Sequence, residues 1–287
     1  MSAPTKMRPE PVEGPSMSAS TSSASITIPT RILARGSAYR AVVAPIVFGL
    51  VFLGLWQFLV VALEIAPNIL PSPLAIGAEF VANLGSVLAG ALRTGANALV
   101  GLVIGAVLGV AGAVVASVVD LVDKLAAPVV AALAVMPIVA LAPVLYTMYG
   151  ADVETARQLV AALAVLIPVY VNTLRGLRQV RPVHRDLMRV YAATSSQSAV
   201  AVTLPTATPY AFTGLRIGSS LAVISALVAE YFGGPVGGLG KSITSAAASS
   251  NYPLAWSYVL GSIVLGLVFY GAALGLERWT TRHQQAR

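Results

Sequence analysis

The sequence predicts an all-α membrane protein with six transmembrane helices, and three observations lead to this fold class. The chain has 287 residues, of which 57% are apolar and only 10% are charged, and its mean hydropathy is +0.82. Soluble domains carry roughly 25% charged residues. The apolar residues gather in six segments close to the ~20 residues that a helix needs to cross a bilayer. The basic residues cluster on alternate connecting segments, as they do in multi-pass membrane proteins.

The six segments are predicted as helices because only helices satisfy their own backbone groups in lipid at this length. Membrane strands would alternate over about ten residues, a pattern that this sequence lacks. The first segment exceeds the 7–15 apolar residues of a signal peptide, so it is interpreted as a permanent span. In chain order, the predicted spans are 41–63, 95–117, 126–147, 157–175, 211–232 and 255–276.

The two ends of the chain are predicted to lie outside the membrane domain. Ser, Pro, Ala and Thr dominate the first 25 residues without apolar periodicity, which is typical of disorder. We therefore predict a disordered cytoplasmic tail over residues 1–36, a transmembrane domain over 37–280, and a short cytoplasmic tail over 281–287.

The distribution of Lys and Arg predicts the orientation of the chain. With both termini in the cytoplasm, fourteen basic residues lie on the inside and only Arg93, Arg157 and Lys241 lie on the outside. The formal net charge of +7 is then a topology signal, and no nucleic-acid partner is predicted.

Small residues predict close helix packing. Gly101, Gly105 and Gly109 recur every four residues and so share one helix face, and Gly271 and Gly275 repeat this spacing in the last span. Glycines at this interval let helix backbones approach closely. Ordinary packing within one bundle and an interface between two copies are both compatible with the pattern.

The composition excludes several kinds of chemistry. The chain has no cysteine, so it has neither disulfides nor thiolate nucleophiles. His184 and His283 do not form a metal site in the sequence pattern, no nucleophile stands beside a base, and no GKT or GKS loop is present. We predict no catalytic residue, no metal site and no bound cofactor, so energy for any transport must come from a partner or a gradient.

Two charged residues within the spans are candidates for function. Glu230 is the only acid in a predicted span, and it is either a gate or substrate contact or a solvated residue near the outer membrane surface. Arg216 lies near the inner end of the fifth span, within reach of snorkelling. Pro137 and Pro143 are expected to kink the third span, which suits a pathway lining but also occurs in inert bundles.

The long inner loop at about 178–209 holds a short amphipathic helix. Pro182 is suited to the first turn of a helix. Leu187, Met188, Val190 and Tyr191 follow at spacings that place them together on its surface. Such a helix is expected either to dock into a partner's groove or to lie on the lipid surface.

This loop resembles the coupling loop of ABC-importer permeases of the binding-protein-dependent type I class. That family's signature is Glu-Ala-Ala, three residues, Gly, nine residues and Ile-x-Leu-Pro. Counted back from the strict matches Leu204 and Pro205, the substituted positions of the signature are Asp186, Leu187, Met188, Ala192 and Val202.

The resemblance extends to the nitrate, sulfonate and taurine branch of these permeases. It is carried by LPTATPYAFTGLRIG at 204–218, VAEYFGG at 228–234, GGLGKSI at 237–243, ILPSP at 69–73 and NTLRGL at 172–177. Together with Pro137, Ala140 and Pro143, these segments extend the resemblance over about residues 45–278.

The resemblance implies the type I permease fold in the plasma (inner) membrane of a prokaryote. Two permease subunits, as a homodimer or a heterodimer, would form the pathway, two ATPase subunits would bind ATP and Mg²⁺, and an extracytoplasmic solute-binding protein would deliver the solute. The solutes of this branch are nitrate, sulfonates, taurine and thiamine-pyrimidine precursors. The implied pathway or gate residues are Pro137, Ala140 and Glu230, and the implied ATPase-coupling residues are Asp186, Leu187, Met188, Tyr191, Ala192, Val202, Leu204 and Pro205.

Two other functions stay open at this point. An ion- or proton-driven secondary transporter would need paired acids or interrupted half-helices near the membrane midplane. A non-transporting membrane anchor or assembly protein would explain the departures from the signature. One departure has a structural consequence, because Ala192 replaces a glycine that permits a turn, and an alanine with a positive φ would be strained there.

Overall fold

A computed structural model describes residues 31–150 and 153–285 of the chain, and every regular element in those ranges is helical. Eleven α-helices occur in these ranges. In chain order they are α1 (Arg31–Ala62), α2 (Pro73–Ala82), α3 (Leu84–Val118), α4 (Asp120–Val135), α5 (Ala142–Tyr149), α6 (Thr155–Arg178), α7 (Pro182–Val190), α8 (Ser195–Ser198), α9 (Leu204–Phe232), α10 (Leu239–Ala248) and α11 (Tyr252–Gln285).

The chain divides into two units, residues 1–52 and residues 53–287. In the first unit, the described residues form the first part of α1, which begins at Arg31, and the predicted domain boundary at 37 stays a prediction. Residues 1–30 of the predicted tail lie outside the described residues. The second unit holds the end of α1 and all the other helices, and α11 continues past the predicted boundary at 280 to Gln285.

The predicted spans correspond to helices, and the third of them is broken. Within the described residues, five helical stretches are long and apolar enough to cross a membrane, and α4 with the segment Ile138–Tyr149 makes a sixth if this bent pair counts as one span. The two parts meet at 88°. Pro137 explains the break, since it cannot donate a backbone hydrogen bond and pushes Met136 into an extended conformation with ψ 132°. The expected kink is therefore a full interruption.

The centre of the bundle is α6, which packs against α3 on one side and α9 on the other. Small buried residues line both contacts, among them Ala98, Ala161 and Ala222. Gly105 lies so close to α6 that a Cβ added to it would stand 2.7 Å from Cβ of Val165. The close packing predicted for Gly101, Gly105 and Gly109 is thus confirmed.

The glycine pair of α11 has a different environment from the three glycines of α3. A Cβ added to Gly271 or Gly275 of α11 would meet no atom of the described residues within 4 Å. The same four-residue spacing therefore marks a tight helix contact in α3 and an open face in α11.

Candidate functional site

Helix α7 forms where the sequence predicts it and presents an apolar stripe. Pro182 occupies its first turn, where a missing N–H costs nothing. Val183, Leu187, Val190 and Tyr191 stand one or two turns apart on one face and are 67%, 50%, 82% and 74% exposed. The stripe differs from the predicted one, because it includes Val183 and excludes Met188.

Met188 turns toward the rest of the chain. It lines a cleft of about 390 Å³ between the end of α6, α7 and the segment that follows α8. Val202 lines the same cleft from the opposite side, so the structure brings these two predicted residues together. Asp186 lies on the exposed surface of α7, where its carboxylate pairs with Arg189 at 3.3 Å.

The turn after α7 uses Ala192 in a left-handed conformation. Its φ is +48°, so an alanine occupies the positive-φ conformation that the glycine of the signature would adopt without strain. The N–H of Ala193 donates to the carbonyl of Met188 at 2.9 Å, and the N–H of Ala192 donates to the carbonyl of Arg189 at 2.9 Å. This pair of bonds defines a Schellman motif, whose left-handed position is usually glycine.

We expect Ala192→Gly to stabilise the folded chain by about 0.5–1 kcal/mol. The left-handed conformation costs an alanine roughly 1–2 kcal/mol, and the larger unfolded-state entropy of glycine offsets part of the gain. Ala193→Gly is the matched control, since Ala193 is not at positive φ and only the entropy cost applies. Unfolding of the detergent-solubilised chain should show opposite signs for the two variants.

The amino-terminal end of α8 follows this turn directly and is also capped. Thr194 and Gln197 form a capping box, in which the N–H of Gln197 donates to Oγ1 of Thr194 at 3.3 Å. The helix then runs from Ser195 to Phe232, with a π-helical turn at Ala199–Thr203. Pro205 accounts for that turn because it lacks the N–H that would continue the regular pattern.

The motif residues Leu204 and Pro205 stand at the start of α9, and both are exposed. The eight predicted coupling residues thus lie in one segment at a single end of the bundle. Their role in binding an ATPase stays a prediction.

At the other end of the bundle, a buried ion pair joins α6 to α9. The side chains of Arg157 and Glu230 are both 0% exposed, and Nη1 of Arg157 lies 3.6 Å from Oε1 of Glu230. Oγ1 of Thr94, on α3, donates to Oε1 of Glu230 at 2.9 Å. Buried charges are tolerated only when they are paired and hydrogen-bonded, and here both conditions are met.

Glu230 also caps α10. The backbone N–H of Gly240, in the first turn of α10, donates to Oε2 of Glu230 at 2.7 Å. The N–H of Leu239 donates to Oγ1 of Thr94 at 2.9 Å. A carboxylate is favoured at this position because the first N–H groups of a helix carry partial positive charge.

A second layer of polar residues surrounds the ion pair. The carboxylate of Glu154 accepts from Arg157 at 2.8 Å, from Arg93 at 2.8 Å and from Asn97 at 2.7 Å. Gln158 donates to Asn97 at 3.0 Å. The network therefore ties α3 to α6 through side chains.

The glycine-rich segment 233–240 closes over this cluster. Arg157 donates to the carbonyl of Pro235 at 2.6 Å, and Arg93 donates to the carbonyl of Val236. Gly234 has φ +98°, and a Cβ there would lie 2.8 Å from Cζ of Arg157. A side chain on Gly238 would collide with the carboxyl group of Glu230. Glycine is required because the backbone passes directly over the two charges.

These contacts correct one sequence-based interpretation. Glu230 is not a solvated residue near the membrane surface, because it is fully buried among hydrogen-bond donors. Arg157, at the predicted edge of the fourth span, is equally buried, and its place on the outside of the membrane stays a prediction. A pathway role for Glu230 stays a prediction, and its structural contacts account for its burial without a solute.

The other two predicted pathway residues lie at the broken span. Pro137 stands at the 88° bend, and Ala140 follows in the 3₁₀ turn Ile138–Leu141. Both are exposed in the described chain. Their place in a translocation pathway stays a prediction.

Arg216 has a partner. Its Nη1 lies 3.1 Å from Oε2 of Glu277, which ties α9 to α11 within a partly buried contact. Arg216 therefore forms an ion pair between two helices and is not only a snorkelling anchor.

This architecture, with helices long and apolar enough to cross a membrane packed around α6 and an exposed apolar stripe at one end, is that of a multi-pass membrane protein. Residues 101–282, more than half of the chain, match the family described as the inner membrane component of binding-protein-dependent transport systems. The chain belongs to this family.

Two of its relatives are named as transport permease proteins. The riboflavin transport system permease protein RibX of Chloroflexus aurantiacus is 35% identical over 79% of this chain and 85% of its own length. The putative aliphatic sulfonates transport permease protein SsuC of Bacillus subtilis is 28% identical over 79% of this chain and 83% of its own length. The resemblance to ABC-importer permeases, including the sulfonate branch, is confirmed.

A solved structure supports the fold. The crystal structure of an amino acid ABC transporter with histidines superposes with a TM-score of 0.57, over 69% of this chain and 95% of the other. The two sequences are 16% identical, so this likeness concerns the fold alone.

Proposed function

We propose that this chain forms the translocation pathway of an ABC importer for a small anionic or polar solute, and that segment 182–205 couples it to ATPase subunits. The observation that carries the proposal is the exposed apolar stripe of α7, held at one end of the bundle between two capped helix ends. An isolated apolar stripe on a short helix suits a partner's groove. In this proposal, ATP and Mg²⁺ bind to the partner ATPase.

The connections of α7 support a mechanical role. Only residues 179–181 separate it from α6, and only residues 191–194 separate it from the helical segment that becomes α9. Since α6 and α9 pack against each other at the centre of the bundle, a displacement of α7 would reach both central helices. Closure of the ATPases would shift the bundle between two packed arrangements, one open to each side of the membrane.

The remaining partners follow from the importer assignment. A second permease copy or a paralogue would complete the pathway, and an extracytoplasmic solute-binding protein would deliver the solute. The orientation would place both termini and α7 in the cytoplasm, as the distribution of basic residues predicts. Riboflavin and aliphatic sulfonates, which appear in the names of two relatives, are the first solutes to test.

The ion-driven alternative finds less support. A secondary transporter is expected to show paired acids or interrupted half-helices, and the break at Pro137 is an interrupted helix. The buried acid of the described bundle, Glu230, is neutralised by Arg157 and by hydrogen bonds from Thr94 and Gly240. A carboxylate held in this way is poorly suited to bind and release a coupling ion.

Leu187→Asp is expected to abolish co-purification of the ATPase and ATP-driven uptake. A charge at the centre of the stripe would be buried without a partner on docking, and loss of such an anchor costs at least about 2 kcal/mol, or roughly 30-fold in affinity. Val236→Asp is the matched control for co-purification of the ATPase, because Val236 is a 77% exposed aliphatic residue at the opposite end of the bundle. Uptake of radiolabelled sulfonate or riboflavin into proteoliposomes containing the ATPase and binding protein measures transport.

Two outcomes would contradict the proposal at different points. Undiminished ATPase association in Leu187→Asp would refute α7 as the docking helix. Uptake driven by an ion gradient in the absence of any ATPase would refute the importer mechanism itself.

A further inference from the structure

The cleft of about 390 Å³ between the end of α6, α7 and the segment after α8 is cationic at its mouth and apolar in its depth. His184, Arg185 and Arg189 of α7 line it and are exposed. Leu177 and Val180, at and just after the end of α6, also line it and are buried. Among the described residues, no carboxylate lines this cleft, so its positive charge is not neutralised from within.

The cleft and the apolar stripe of α7 lie on opposite sides of that helix. Successive residues of an α-helix are about 100° apart, which places Arg185 about 160° from Leu187 around the helix axis. Arg185 lines the cleft, and Leu187 belongs to the exposed stripe. The cleft is therefore a separate surface from the stripe.

The polar lining of the cleft has unused hydrogen-bond donors. Within the described residues, the side chains of Arg185, Ser195 and Ser198 make no hydrogen bond or ion pair. Arg189 pairs with Asp186 at 3.3 Å, but both side chains are largely exposed, and such a pair contributes little. A guanidinium carries five N–H donors and no acceptor. Donors and positive charge together favour an anion as the occupant of the cleft.

We propose that this cleft binds one small oxyanion, either phosphate or a sulfonate. Arg185 and Arg189 stand one turn apart on the α7 wall, and guanidinium groups bind the oxygens of such anions through pairs of parallel hydrogen bonds. Ser195 and Ser198 line the cleft from beyond the turn at Ala192, where their hydroxyls would donate to the remaining oxygens. A tetrahedral group has oxygens for both walls, whereas chloride offers a single atom.

An oxyanion in this place would fix the orientation of α7. It would contact α7 through Arg185 and Arg189 and the next helical segment through Ser195 and Ser198, so it would bridge the two sides of the turn at Ala192. The consequence for ATPase coupling rests on the proposed function, whereas the binding of the anion does not.

Hydrogen–deuterium exchange of the full-length chain in detergent tests the proposal. Exchange is compared in phosphate, in butane-1-sulfonate and in chloride at matched ionic strength, so that screening is the same in all three. Either oxyanion should slow exchange of the amides of residues 184–203 relative to chloride. A lower half-saturation concentration for butane-1-sulfonate would identify a sulfonate site that uses the buried Leu177 and Val180, and a lower one for phosphate would identify a phosphate site.

Three variants locate the binding. Arg185→Gln should raise the half-saturation concentration about tenfold, the effect of losing one charged hydrogen bond. Asp186→Asn should lower it, because Arg189 is then released from its ion pair. Arg181→Gln is the matched control and should leave it unchanged, since Arg181 is exposed directly before α7 and does not line the cleft.

Three results would overturn the proposal. Equal effects of Arg181→Gln and Arg185→Gln would mean general attraction to a basic surface without a site. Exchange as fast in both oxyanions as in chloride would mean that the cleft binds neither. Release of the oxyanion on addition of purified ATPase would mean that the cleft belongs to the ATPase contact. The first two results are obtained without an ATPase, so they would leave the importer proposal standing.

Discussion

Replacing Arg157 with methionine is expected to destabilise the folded chain by about 3–5 kcal/mol, the cost of leaving a buried charge without its partner. Glu230 is fully buried and has Arg157 as its ion-pair partner among the described residues. Methionine fills similar volume but supplies no charge. The carbonyl of Pro235 also loses its donor, so the segment 233–240 should loosen. Denaturant unfolding in detergent, followed by tryptophan fluorescence, measures the change.

Two further variants separate the buried charge from a general loss of contacts. Arg157→Met combined with Glu230→Gln should recover a large part of the stability, since a single amide oxygen in the place of Oε2 can still accept from both Thr94 and Gly240 while the side chain carries no charge. Arg93→Met removes an arginine from the same cluster, but its ion pair with Glu154 is partly exposed, so the loss should stay below about 1 kcal/mol. Equal losses in Arg157→Met and Arg93→Met would show that burial of the ion pair is not the source of stability.

Hydropathy and charge placement were sufficient to predict the spans, because membrane insertion depends on properties of each segment alone. The Arg157–Glu230 pair could not be predicted in this way. Each residue stands near the end of an apolar segment, where a single charge is compatible with solvent. Both side chains become buried only when α6 packs against α9. The glycines between Gly233 and Gly240, which pass over the two charges, were the one sequence feature that indicated close packing here.

For the segment around α7, the sequence predicted where the turn lies but not which apolar residues of the helix face outward. The spacing of the signature located Ala192 in a turn, and its φ of +48° agrees with a position that favours glycine. The apolar residues Leu187 and Met188 are neighbours, so periodicity alone left open which of them faces outward. The cleft against α6 and Val202 decides it, because Met188 lines that cleft and Leu187 does not.

Pro137 shows a related limit. A proline within a span predicts a kink, but the angle depends on what each half packs against. The segment after Pro137 packs through Ile138 and Val139 on a buried group that includes Ala156 and Ala229. The α4 half packs through Val122, Ala126 and Val130 on a different buried group, which includes Tyr170, so the two halves diverge by 88°.

Gly105→Ala is expected to destabilise the chain by about 2–3 kcal/mol, at the upper end of the usual cost of overpacking. The added Cβ would stand 2.7 Å from Cβ of Val165 and 3.1 Å from the backbone nitrogen of Leu166. Backbone atoms cannot move aside as a side chain can, so α3 and α6 must separate. The loss should appear as a lower unfolding midpoint in detergent.

Gly271→Ala introduces the same methyl group at a glycine with the same four-residue spacing, and we expect the opposite sign. Nothing in the described residues lies within 4 Å of the added Cβ, and alanine favours a helix over glycine by up to about 1 kcal/mol. The isolated chain should therefore be unchanged or slightly more stable. If α11 instead forms an interface between two copies, Gly271→Ala would lower the dimer fraction in cross-linking while leaving the monomer's unfolding midpoint intact. Similar destabilisation of the monomer by both variants would contradict the packing of α3 on α6 as the origin of the Gly105 effect.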